Sequence, residues 1–281
     1  MNNYVKSDHF IAPVNEVFGE ALLGLNHAHT TDGGALLRIQ RKVVTKVFTT
    51  NNFRLFTESV AHKRELGIVD LIKAQNGKCN MHTVSEQFTL QSIFDIRFGV
   101  SLVSIDNNLG ARFIESMDYI FRPVLLRTFF KPYFKYFWWC MPSEYKFKRD
   151  AKVMIDLVDS ILEKPRGIAK RSDLLSLYIK KARELEGGEG VATLDIPTLH
   201  SITAMFIFSG RDTTSLTILC SFYCLAQYPE DQDKILEELK TVDVDAPTFE
   251  DVKKLKCLDA FVWETLRLYP SAPTTPVLCH A

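Results

Sequence analysis

One stretch of this chain restricts its fold more than any other. Ile202 to Ala226 is the most apolar long segment of the chain, yet Arg211 and Asp212 stand at its middle. As a membrane span it would put two charges at the bilayer centre, at about 2.5–3.5 kcal/mol each on insertion scales. The chain also has no clean apolar run of roughly 18 residues, the usual length of a span. The segment therefore reads as a buried helix of a soluble domain. Pro197 and Pro229 bracket it, so a continuous helix over Thr198–Tyr228 would hold 31 residues and run about 46 Å. A rod that long crosses a whole domain, and the other elements have to pack around it.

Those other elements read as helices too. Periodic apolar patterns and their breakers predict helices over Leu36–Phe48, Asn51–Leu66, Val69–Cys79, Thr83–Phe98 (stopped at Gly99), Leu109–Ile120 and Ala151–Lys164. Further helices are predicted over Asp173–Leu185, Glu230–Thr241, Phe249–Lys254 and Cys257–Tyr269, after which Pro270, Pro273 and Pro276 forbid more. Strand patterns are few and no repeat is found. The fold class is mainly α, with residues 1–281 as a single partial domain. Glu186-Gly187-Gly188-Glu189-Gly190 reads as a surface loop inside it.

Composition narrows the function classes. Apolar residues make up 46% and charged residues 24%, with 34 basic against 34 acidic side chains, so the chain is neither disordered nor broadly basic. No nucleic-acid partner is expected. The first residues, Met1-Asn2-Asn3-Tyr4-Val5-Lys6, lack the apolar core of a signal peptide. Six scattered cysteines without a C-x-x-C pair read as free thiols in a reducing compartment. Cys220 and Cys224, four apart on the long helix, leave a metal pair open beside the plainer reading of two buried helix residues.

The middle of the long helix reads Phe208-Ser209-Gly210-Arg211-Asp212-Thr213-Thr214-Ser215. A glycine and two adjacent threonines weaken a helix interior. Glycine lets another group approach the backbone. A threonine hydroxyl can bond back to an upstream carbonyl and bend the rod. The expected result is a local opening with an acid and a hydroxyl side by side. The plainer alternative is a glycine packed on a crossing helix, with Arg211 and Asp212 paired in a surface groove. A second feature is Trp263-Glu264-Thr265-Leu266-Arg267-Leu268-Tyr269-Pro270, where Glu264 and Arg267 are three apart on one helix face. Alone it is weak, since Glu163 and Arg166 repeat the spacing at a helix end.

Together and in this order the two features closely resemble the cytochrome P450 family. Ser209–Thr214 matches the oxygen-binding segment of the family's long central helix, written [AG]-G-x-[DE]-T-T. Glu264–Arg267 with Leu268-Tyr269-Pro270 matches its E-x-x-R helix and the following L-Y-P. Tyr228-Pro229-Glu230, Gln40-Arg41-Lys42, and Phe94-Asp95 with Phe98-Gly99 also look like family elements, so the resemblance covers about residues 20–281. Its flavour is that of the fatty-acid ω-hydroxylases, in which A-G-R-D-T-T is usual.

The resemblance implies a partial cytochrome P450 fold and haem-dependent, dioxygen-dependent hydroxylation of a fatty acid or similar long-chain lipid. It implies haem b as cofactor and electrons from NADPH through NADPH-cytochrome P450 reductase. Asp212 and Thr213 would be catalytic, with Ser209, Gly210 and Thr214 on the oxygen- and haem-facing helix. Arg41 would meet a haem propionate, and Glu264 with Arg267 would form a buried structural pair behind the haem. The aromatic-basic run Phe129–Trp139 looks like the family's loop over the substrate entrance, touching the membrane surface. An aromatic core patch is its other reading. The family's place is the cytosolic face of the endoplasmic reticulum membrane.

The sequence also departs from the family. Leu37 stands where a Trp is expected four residues before Arg41, and Ser209 replaces the usual Ala. The haem loop F-x-x-G-x-R-x-C-x-G is absent, so no axial cysteine and no metal ligand is assigned, and Cys279 lies too close to Arg267 to serve. The 281 residues alone are expected neither to hold haem stably nor to turn over substrate. Two non-catalytic alternatives stay open: a helical remnant without haem, and a weak membrane-surface module.

Overall fold

The computed structural model describes residues 10–11, 45, 49–54, 57, 72–73, 78–98, 112–117, 119, 142–163, 176, 179–180, 196–243, 247–273 and 278–279. Helix dominates among them, as the periodicity predicts. The chain divides into two compact units, each assembled from distant segments. The first is Met1–Val47, Val100–Phe206 and Pro276–Ala281; the second is Phe48–Gly99 and Ile207–Thr275.

In the first unit, strand β1 (Phe10–Ile11) pairs antiparallel with β2 (Leu278–Cys279), Phe10 opposite Cys279 and Ile11 opposite Leu278. Arg112–Met117 is helical and buries Phe113 and Met117. The main element of this unit is a helix over Pro142–Glu163. It starts nine residues before the predicted Ala151. The reason lies in its face: Phe147, Asp150, Ala151, Met154, Leu157 and Val158 are all buried at three- and four-residue intervals. Lys148, Arg149 and Lys152 are exposed on the other side. Pro142 is tolerated in the first turn, where its missing N–H removes no helical bond.

In the second unit, helix α1 (Met81–Ile93) opens on Asn80, whose side chain accepts from the His82 amide at 3.1 Å. The same run continues as a π-helical segment over Phe94–Phe98, where the sequence predicts unbroken α-helix. Phe94 and Phe98 are buried there, edge to face with centroids 5.4 Å apart. In chain order the Pro142–Glu163 helix is α2. The long helix is α3 (Ile196–Gln227), 32 residues against the predicted 31. Tyr228-Pro229 ends it as expected, because the residue before a proline is driven out of the α region. It gives residues through Phe206 to the first unit and residues from Ile207 to the second.

Helix α4 (Pro229–Leu239) carries Pro229 at its start and Glu230 and Asp231 in its first turn. Helix α5 (Phe249–Lys254) is closed by a capping box in which Thr248 and Asp251 satisfy each other's backbone amides. Helix α6 (Lys256–Leu268) begins on the buried Leu255 and has no cap of its own. The Glu238 carboxylate of α4 supplies one instead. It accepts from the Cys257 and Leu258 amides at 2.8 and 2.9 Å. Burial pushes Glu238 up, but the amide bonds outweigh it and hold the carboxyl below its ordinary value. Among the described residues no helix is long and apolar enough to cross a membrane.

Candidate active-site helix and its charge partners

The octapeptide on α3 stays helical throughout, so the predicted local opening does not appear as a break in the helix. The hydroxyls here bond back within the same helix. Thr213 Oγ1 donates to the Ser209 carbonyl at 2.7 Å, Thr217 to the Thr213 carbonyl at 2.8 Å, and Ser221 to the Thr217 carbonyl at 2.8 Å. Each bond is an addition to the backbone ladder, not a replacement for it. Gly210 is buried, Thr213 half-buried, and Ser209 and Thr214 are exposed.

Arg211 and Asp212 do pair, Arg211 Nη1 donating to Asp212 Oδ1 at 3.3 Å. The surface-groove reading is wrong, however, because the Arg211 side chain is only 2% exposed. A buried guanidinium needs compensating charge. A second carboxylate arrives from α1, with Glu86 Oε1 3.3 Å from Arg211 Nη2. The other oxygen of Glu86 lies 3.3 Å from Nδ1 of the exposed His82. Glu86 and Asp212 are 20% and 33% exposed, so this unit runs from the helix interior toward solvent.

The sequence does not point to Glu86, which lies 125 positions before Arg211. One signal was there. An arginine inside an apolar helix requires an acid, and Glu86 is the sole acid in Met81–Ile93.

Glu264 and Arg267 form the expected pair, with Arg267 Nε and Nη2 donating to the two carboxylate oxygens at 2.8 and 2.6 Å. The Arg267 bond holds the Glu264 carboxyl below its ordinary range and raises Arg267 in turn. The pair is not buried, contrary to expectation: Arg267 is 66% and Glu264 55% exposed. Both sit on the outward side of α6 with Trp263, whereas Thr265 points inward and is buried. Arg41 and the run Phe129–Trp139 lie outside the described residues.

Comparison with known proteins bears on the family of the chain. The family model described as cytochrome P450 matches residues 7–277. Mouse cytochrome P450 3A41 is 27% identical over 243 residues, covering 82% of this chain and 48% of its own length. A bifunctional cytochrome P450/NADPH–P450 reductase of Bacillus subtilis (strain 168) is 33% identical over 134 residues, 47% of this chain and 12% of that protein. The solved structure of a retinoic acid bound cyanobacterial CYP120A1 superposes with a TM-score of 0.68 at 19% identity, covering 95% of this chain and 57% of that one. The chain thus spans about half the length of curated relatives such as the mouse protein. The long helix with its Gly-Arg-Asp-Thr-Thr turn, the bidentate E-x-x-R pair and the family match lead to one conclusion: the chain belongs to the cytochrome P450 family, a family of haem-dependent monooxygenases.

Proposed function

We propose that these residues form the oxygen-side part of a haem-thiolate monooxygenase that hydroxylates a long-chain lipid such as a fatty acid. The observation that carries the reading is one turn of α3: a half-buried acid, Asp212, held by a buried arginine and followed at once by the hydroxyl of Thr213. Haem, when bound, supplies dioxygen activation. The residues present fit it on one side. Gly210, buried and without a Cβ, lets a flat cofactor approach the helix backbone. Asp212 can hold a proton at its carboxyl for delivery to the oxygen side. Thr213 keeps its proton on the Ser209 carbonyl, while its oxygen can still accept a bond.

The residues present do not fit the iron side. None of the six cysteines lies in the haem-loop pattern.

The G-R-D-T-T wording supports a fatty-acid substrate, and the Bacillus relative, whose name joins a P450 to a reductase, supports an NADPH-cytochrome P450 reductase as electron source. Placement on the cytosolic face of the endoplasmic reticulum, with Phe129–Trp139 against the bilayer, suits aromatic and basic side chains interleaved at an interface.

The test is to read the transcript past the codon for Ala281, express its product, and supply reductase, NADPH and a long-chain fatty acid. The expected result is a thiolate-ligated haem and a hydroxylated product. Thr213→Ala is then expected to divert electrons to peroxide with the haem spectrum unchanged. A product that binds no haem overturns the enzymatic reading in favour of a haem-free remnant. Full product yield in Thr213→Ala removes the role given to that hydroxyl.

A further inference from the structure

We infer that Glu86 is a positioning residue for Asp212, acting through the buried guanidinium of Arg211. The inference rests on the reading of Asp212 as the proton-handling acid, but the charge unit itself stands on geometry. Arg211 and Asp212 are consecutive on α3, so their side chains leave the helix about 100° apart. An arginine next to an aspartate in sequence does not by itself present an amine to that aspartate. The guanidinium has to be held from outside the helix, and Glu86 on α1 lies 3.3 Å from Nη2 while Nη1 reaches Asp212 at 3.3 Å. A planar fork gripped at one end has little freedom to turn at the other.

Two carboxylates then share one buried cation. Each partly relieves the burial of the guanidinium, and each weakens the hold of the other on it. Asp212 is kept in place without being the sole compensation for Arg211.

The same geometry rules out a different role. His82, Glu86, Arg211 and Asp212 make a continuous series from solvent to the middle of α3. It looks like a proton path, yet a guanidinium does not give up a proton at any pH the protein meets. The series cannot pass a proton from His82 to Asp212. Its effect is one of placement and field.

The test begins with the 281-residue chain and a double-mutant cycle on its urea unfolding. If Glu86 and Asp212 share Arg211, Glu86→Gln should raise the unfolding equilibrium constant roughly 5-fold more in the Asp212→Asn background than in the wild type. Additivity within about 2-fold overturns the shared guanidinium. In Arg211→Met, Glu86→Gln should lose its destabilising effect. A penalty that persists there shows Glu86 acting through its own packing or through His82, and overturns the inference.

The second readout is in the haem-loaded product of the longer transcript. Glu86→Gln should lower the fraction of electrons that reach product, with KM unchanged, and Glu86→Asp should restore part of it. Unchanged coupling in Glu86→Gln, alongside impaired coupling in Asp212→Asn, overturns the positioning role alone. Unchanged coupling in Asp212→Asn overturns the reading of Asp212, whatever the unfolding cycle shows.

Discussion

A charged residue in an apolar helix is legible as an anomaly, but its partner is not. Arg211 and Asp212 stand out within Ile202–Ala226, and Gly210 and Thr213 beside them carry the rest of the pattern. The second acid on Arg211 comes from another helix, and no local rule points to it. Exposure is equally hidden at this scale. The i to i+3 spacing of Glu264 and Arg267 predicts the bidentate pair but not which side of α6 it occupies. Because that pair is in solvent, Glu264→Ala should leave the urea midpoint of the 281-residue chain unchanged, and high salt should make no further difference. A large loss of stability would show the pair to be shielded. Thr213→Val keeps the shape and removes only a hydroxyl bonded back to its own helix. It should cost no more than about 1 kcal/mol in the same assay. A larger loss would mean that the hydroxyl stabilises the long helix.

Most of the described elements are legible to within a residue or two, α6 among them although its start is capped from α4; the start of α2 is not. Phe249–Lys254 was placed as it stands, because the Thr248–Asp251 capping box is local. The first two turns of α2 carry three basic residues, so the sequence places its start at Ala151, and only the burial of Phe147 and Asp150 shows that the helix begins earlier. Phe147→Ala should therefore destabilise the chain by about 3–5 kcal/mol, as a core position does, measured by urea unfolding. A negligible effect would mean that the upstream turns frays off the core. The π-helical turn at Phe94–Phe98 has no signature in the residues themselves.

The cap on α5 also predicts a pH response. Bonds from Lys254 and Thr248 lower Asp251 from 3.8 to about 2. A carboxyl lowered on folding adds stability that is fully present above its unfolded value and lost as pH falls through the folded one. Between about pH 4 and 2 the α5 amides should lose hydrogen-exchange protection, and Asp251→Asn should flatten that dependence. A response unchanged in the variant would assign it to other acids.

The whole molecule was legible as mainly α because one long apolar rod requires helices around it. Its division into two units was not, because each unit is assembled from stretches far apart in the sequence. The surface also departs from an ordinary one. Leu216, Phe222, Tyr223, Tyr228, Leu236, Trp263, Leu268 and Tyr269 are large, apolar or aromatic, and exposed within the second unit. Where such side chains adjoin, as Tyr223 and Tyr269 do with ring centroids 5.9 Å apart, self-association is favoured. Sedimentation velocity on the 281-residue chain should show concentration-dependent association, reduced by Trp263→Gln. A monomer at every concentration would refute this.

The clamp of Glu238 on the first amides of α6 has a consequence for how such chains are recognised. Since a carboxylate of α4 sets where α6 begins, the residues between them, Lys240 to Leu255, need not be of fixed number to keep the two helices in register. Insertions there should be tolerated during divergence, so the interval between the G-x-D-T-T and E-x-x-R motifs is free to drift while the helices stay put. A fixed spacing between the two motifs is therefore not what holds the two helices to each other; the carboxylate of Glu238 is.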